Sequence, residues 1–260
     1  MRKLLSLLGG VIFLFWVGTT DVFAVTSSTS VDFSICQPSV LKNDFLDFTR
    51  VGKKLAAAPF HFQRRQWILA AGAVGATVLL SQLDFATREF AQGHQNAVGN
   101  FLLNADRFYG NGLTVVGVMG LYGVGYLLKK NKIRKVGLCA AEAGGYAGTV
   151  TVVLKILFGR RRPYGGASPF YFKPFQLDNR YNSLPSGHTT VAFAVSTVLA
   201  NSARNRFWKI FWYSAGALVA ASRVYHNQHW VSDVFLGGAI GVAVGEFVVH
   251  FHRSPKKIPN

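Results

Sequence analysis

Acidic residues are scarce in this chain: 11 Asp and Glu stand against 28 Lys and Arg in 260 residues, a formal net charge of +17. Such an excess raises the question of a nucleic-acid partner. The Lys and Arg residues, however, punctuate apolar runs and build no continuous basic face, so no nucleic acid is expected. Cysteine is scarcer still. Cys36 lies in the N-terminal segment and Cys139 inside an apolar run, a poor pair for a disulfide, and neither redox nor zinc chemistry is read from them. Internal repeats, domain linkers and low-complexity tracts are missing after Asp44, which leaves one domain.

What the chain has is hydrophobicity: half of its residues are apolar. An ordinary soluble core does not account for that together with the charge, whereas a membrane protein with basic loops does. The apolar runs are 67–83, 112–128, 136–158, 189–200, 208–221 and 234–251. About twenty residues cross a bilayer core, so these are six candidate spans, the fourth reaching adequate length once Ser186 and Gly187 are included. Their many Gly and Ala residues suit close helix packing. A soluble, secreted bundle of amphipathic helices is the competing reading; it fits poorly, because the second, third and sixth runs carry almost no polar stripe. The expected fold is all-α, a six-helix transmembrane bundle with its site at the helix ends on one membrane face.

The basic residues cluster at one set of helix ends. Lys129, Lys130, Lys132, Arg134 and Lys135 crowd one loop, Arg204, Arg206 and Lys209 another, and Arg253, Lys256 and Lys257 follow the last run. These ends should face the cytoplasm. The opposite ends then face outward, which in a bacterial inner membrane means the periplasm. Residues 1–24 read as a secretory signal peptide or an uncleaved anchor, with a cleavage site after Ala24. Residues 25–66 hold a polar stretch and then, over 40–62, an amphipathic pattern suited either to the membrane interface or to the bundle's flank. Residues 67–252 form the helical membrane domain. A cleaved signal followed by six crossings conflicts with the loop charges, and the loops are preferred because they agree at three places. Residues 84–111 form a long connection suited to capping the site. Glu142 and Glu246 are costly in lipid and should pair inside the bundle.

Three stretches at the ends of the apolar runs carry chemistry. In 181–188, Pro185 fixes φ and Ser186 is a preferred helix N-cap. The N–H groups after Ser186, beginning with Gly187, have no intrahelical partner and form an anion seat, beside which His188 projects. Lys155 and Arg162-Pro163 close the third run, and Ser222-Arg223, His229 and Asp233 lie between the fifth and sixth. His229 and Asp233 are one helical turn apart, so the carboxylate can orient the imidazole. His226, His229 and Asp233 would also make a plausible metal ligand set, but the cations nearby would repel a divalent ion. Arg160 and Arg161 are extra, read as an interfacial anchor or a second anion site.

Read together as K-x6-R-P, P-S-G-H and S-R-x5-H-x3-D, these stretches match without a departure the signature of the type 2 phosphatidic acid phosphatase and vanadium haloperoxidase superfamily, which the chain resembles over about eighty residues. The resemblance implies a membrane-bound, metal-independent and cofactor-free phosphatase acting on a lipid phosphate or diphosphate. His229 would attack phosphorus to give a phosphohistidine, Asp233 would orient it and His188 would protonate the leaving oxygen. Lys155, Arg162, Ser186, Gly187 and Arg223 would bind the phosphoryl oxygens. A vanadate-dependent haloperoxidase, a soluble secreted acid phosphatase of broad specificity and a non-enzymatic lipid-binding protein are the alternatives.

Overall fold

The structure, a computed structural model, describes residues 39–166 and 168–253. The signal or anchor segment 1–24, the stretch 25–38 with Cys36, and Lys256 and Lys257 lie outside these. Among the described residues there are nine α-helices and no named strand. They are α1 (Ser39–Ala57), α2 (Arg64–Ser81), α3 (Asp84–Gly93), α4 (Ala97–Leu102), α5 (Gly112–Leu127), α6 (Asn131–Phe158), α7 (Gly187–Ser202), α8 (Arg206–Tyr225) and α9 (Val231–Arg253).

Each apolar run of the sequence is a helix: α2, α5, α6, α7, α8 and α9. Their ability to cross a bilayer is uneven. By length and composition α6 and α9 suffice alone, α2 and α3 together would make a third crossing bent by 56°, and α5 is a shorter apolar helix. The expected count of six spans is approximate to that extent. Helix α7 has only 16 residues, about 24 Å against a hydrocarbon core of about 30 Å. It is instead the bundle's centre, with ten of those residues buried and α6, α8 and α9 packed around it.

Local sequence sets the helix ends. Asn111 caps α5 by accepting from the Thr114 N–H at 3.3 Å, and Asn205 caps α8 through the Phe207 N–H at 2.9 Å. Helix α6 stops at Gly159, whose φ of +58° is left-handed, and a Cβ there would lie 1.8 Å from the Lys173 carbonyl oxygen. The backbones of α7 and α9 touch: a Cβ on Gly237 would come within 2.7 Å of the Ser186 oxygen, and one on Gly241 within 2.4 Å of the Thr190 oxygen. This contact, reinforced by Ser186 N–H donating to the Asp233 carbonyl at 3.0 Å, locks the two helix N-termini together.

The basic loops gather at the far end, where Arg134 pairs with Asp44, Glu142 meets His252 at 2.6 Å, and Arg253 donates to the Asn201 carbonyl at 3.0 Å. Glu246 accepts from Asn201 at 2.8 Å, so both intramembrane glutamates have partners within the bundle. Helix α1 presents both of the faces that its pattern allowed. Val51, Asp44 and Asp47 are buried, with α1 against α6 and α9, whereas Leu41, Phe45 and Phe48 point outward.

Candidate active site

At the end opposite the basic loops, the C-termini of α6 and α8 meet the N-termini of α7 and α9. Gly159 turns the chain so that Arg160 enters the interior while Arg162 continues along the site. Two backbone bonds pin this strip to the following loop: Arg162 N–H donates to Arg180 O at 2.8 Å and Ser183 N–H to Arg160 O at 3.0 Å. Lys155, one turn before Gly159, donates to the Asn182 carbonyl. All eight residues singled out by the motifs lie on these four helix ends and the turns between them.

His229 sits in the turn between α8 and α9, 2% exposed. Its Nδ1 lies 2.8 Å from the Ser183 carbonyl oxygen. A carbonyl only accepts, so Nδ1 carries the proton and Nε2 keeps the lone pair of the neutral ring. Asp233 Oδ2 is 3.7 Å from Nδ1, beyond hydrogen-bond range. The expectation that Asp233 grips the imidazole directly is therefore corrected. Asp233 accepts from Ser183 Oγ at 2.5 Å and Trp230 N–H at 2.9 Å, and so fixes the two segments that carry His229 and its carbonyl acceptor. Burial above all pushes the His229 imidazole well below its ordinary value; Asp233 opposes this, and the Lys155 and Arg162 charges add to it.

Arg160 is the larger correction. It is 2% exposed, neither an interfacial anchor nor an arm reaching for an anion. Its guanidinium meets Asp233 Oδ1 at 2.7 Å, Asp84 Oδ2 at 2.6 Å, Ser232 Oγ at 2.7 Å and the Pro169 carbonyl at 2.8 Å. Burial opposes its charge, and the two carboxylates outweigh that, raising its pKa. Asp84, the first residue of α3, also accepts from the Ser232 N–H and hydroxyl.

Arg223 is held by Asp106, in the connection after α4, through an Nη1 to Oδ2 bond of 2.5 Å, while Ser222 Oγ reaches Asp106 Oδ1 at 2.6 Å. Burial raises the Asp106 pKa, but those donors outweigh it and the carboxyl is held below its usual value. Arg162 donates to Gln228 Oε1 at 3.0 Å, and burial lowers its pKa. The Nε atoms of Arg162 and Arg223 are buried without a protein partner. Ser186 occupies the N-cap position of α7 without the side-chain cap: its hydroxyl sits 3.0 Å from Thr189 Oγ1. Lys155, Gly187 and His188 open onto a cavity of about 350 Å³ whose wall runs down α6 along Gly144, Gly145, Gly148 and Val152.

Asp84, Asp106, Arg160 and Ser183 were not picked out as site residues by their spacing. Asp84 and Asp106 fall in the connection expected to cap the site, and that composition was their only signal.

The PAP2 superfamily model matches residues 135–257, which contain all three motifs. A lipid A 1-phosphatase of Porphyromonas gingivalis is 32% identical over 130 residues, 49% of this chain and 26% of the relative. An undecaprenyl-diphosphatase of Sulfolobus acidocaldarius is 29% identical over 116 residues, 44% of this chain and 54% of the relative. The chain thus matches about a quarter of the first relative's length and about half of the second's. The crystal structure of a transmembrane PAP2-type phosphatidylglycerolphosphate phosphatase from Bacillus subtilis superposes with a TM-score of 0.54 at 21% identity, covering 85% of this chain and 100% of that one. With its membrane-crossing helices, this chain is an integral membrane protein.

Proposed function

We propose that the protein is a phosphatase that hydrolyses a lipid phosphate or diphosphate through a phosphohistidine on His229, without a metal, with its site on the periplasmic side of a bacterial inner membrane. The observation that carries the substrate class is the cavity. One end holds Lys155 and His188, and its wall continues down a membrane-crossing helix through glycine and valine. A phosphorylated headgroup fits the first part and an apolar chain the second.

His229 Nε2, the unprotonated nitrogen, attacks phosphorus; a P–N bond forms as the P–O bond to the lipid breaks. His188 donates its proton to the leaving oxygen. Water then attacks phosphorus, the P–N bond breaks, and His188 takes the water's proton, returning both groups to their starting states. Lys155, Arg162 and Arg223 hold the equatorial oxygens, where charge gathers in a loose transition state. The two partnerless guanidinium Nε atoms suit such oxygens. The Gly187 N–H at the start of α7 adds a backbone donor, and the Ser186 hydroxyl is a further donor shared with Thr189. Asp233 keeps His229 in place through Trp230 and Ser183.

The relatives' names frame the test. Phosphate release should be measured from lipid A, undecaprenyl diphosphate, phosphatidylglycerolphosphate and phosphatidate in detergent with excess chelator. Release from at least one of them, faster than from a short water-soluble phosphate ester, is expected. No release from any, with halide oxidation on adding vanadate and peroxide, would overturn the proposal.

A further inference from the structure

A second cluster of chemically capable side chains lies at the other end of the bundle, roughly 20 Å along α6 from Lys155 at 1.5 Å per residue. Cys139 and Glu142 are one turn apart on α6, and His252 comes from the last turn of α9. Their ligand atoms all lie within 4.8 Å of one another. Cys139 is an unbridged, buried thiol, and Glu142 is fully buried. Glu142 Oε2 meets His252 Nε2 at 2.6 Å, while its Oε1 is buried with no hydrogen-bond partner. A carboxylate inside a helical membrane bundle with one oxygen unsatisfied is costly and asks for a reason.

We infer that Cys139, Glu142 and His252 form a binding site for a borderline divalent cation of the zinc class. One sulfur, one imidazole nitrogen and one carboxylate oxygen are donors that such an ion accepts, and three protein ligands leave a fourth position for water. Alkaline-earth ions favour all-oxygen shells and are disfavoured here. Binding replaces the Glu142–His252 hydrogen bond by two metal–ligand bonds: the proton between them leaves to solvent, His252 ending as the neutral ring protonated on Nδ1, and the Cys139 thiol releases its proton to solvent as the S–metal bond forms. The net charge of the three ligands then becomes −2, balancing the ion. Asp47, close enough to act on Glu142 electrostatically, adds negative potential. His252, whose side chain is 16% exposed, marks the entry. The ion would clamp the N-terminal half of α6 to the end of α9, a structural role separate from the proposed phosphatase site.

The full chain, purified in detergent and stripped of metal, should be titrated with Co(II). A thiolate-to-cobalt charge-transfer band with tetrahedral d–d bands, saturating at a single ion per chain and abolished by Zn(II), is the expected result. Cys139→Ser should lose the charge-transfer band, and Glu142→Gln should weaken binding. Should either variant fold poorly, the parent supplies its own control. Zn(II) should slow alkylation of Cys139, read on its own peptide, about tenfold or more, because a metal-bound thiolate is withdrawn from attack. No charge-transfer band, a band that persists in Cys139→Ser, or alkylation unchanged by Zn(II) would each overturn the inference. Phosphate release in chelator is read separately, so failure there does not bear on this site.

Discussion

Replacing Arg160 by Met keeps much of the side chain's length and removes its charge. Among the described residues Arg160 is the only cation within hydrogen-bonding distance of Asp84 and Asp233, both of which have fully buried side chains. Asp84 would retain the two Ser232 donors, and Asp233 would retain Ser183 and Trp230, so neither loses every hydrogen bond. Both would lose their neutralising charge. Breaking a buried pair from one side costs about 3–5 kcal/mol, and this guanidinium serves two carboxylates. The loss should reach the upper part of that range and lower the thermal midpoint in detergent. Activity should fall as well, because Asp233 fixes Trp230 and Ser183 around His229; a displacement of about 1 Å there costs about a hundredfold in kcat. Adding Asp84→Asn to Arg160→Met removes one stranded charge and should restore part of the lost stability, a coupling that a double-mutant cycle reads directly. Arg160→Met with parental midpoint and kcat, or strict additivity with Asp84→Asn, would refute this account of the network.

Two further outcomes are expected. Gly145 lines the cavity wall and has no atom within 4 Å of where its Cβ would be, so Gly145→Leu should occupy the chain-binding part without disturbing the fold. KM for a lipid phosphate should rise while turnover of a short soluble ester stays near that of the parent; equal effects on both substrates would contradict a lipid chain in the cavity. The second concerns pH. His229 must be neutral to attack, and its pKa is pushed down, chiefly by burial. Neutral imidazole should therefore persist well below the reference value of about 6.5. The acid limb of kcat/KM assigned to this group, after correction for the substrate's own ionisation, should lie below that value, and an acid limb above it would contradict the burial argument.

The helices were readable because each apolar run is continuous along the chain, and the motif residues because each carries chemistry at a fixed spacing. What escaped depended on direction and on distant partners. Arg160 differs from Arg161 and Arg162 only in pointing inward from the left-handed turn at Gly159, toward an Asp84 that lies 76 residues away in sequence. His229 and Asp233 suggested a direct bond by their spacing, yet the nearer acceptor is the Ser183 backbone carbonyl, which carries no side-chain signature. Cys139 read as chemically silent for the same reason: its neighbour His252 follows more than a hundred residues later, and only the packing of α6 on α9 brings them together. The uneven spans follow from burial. Helix α7 exchanges lipid-facing length for contact on all sides, so its hydropathy alone did not reveal its central place.

The central claim is that His229 is the nucleophile. Its most direct test is phosphate release from the preferred lipid phosphate in excess chelator by the parent and by His229→Ala, with acid-labile phosphoprotein trapped during turnover. The account predicts chelator-resistant release and a labile phosphoprotein in the parent, with both lost in the variant while its thermal midpoint remains measurable. Equal release by the two proteins, or trapped phosphate persisting in His229→Ala, would contradict it.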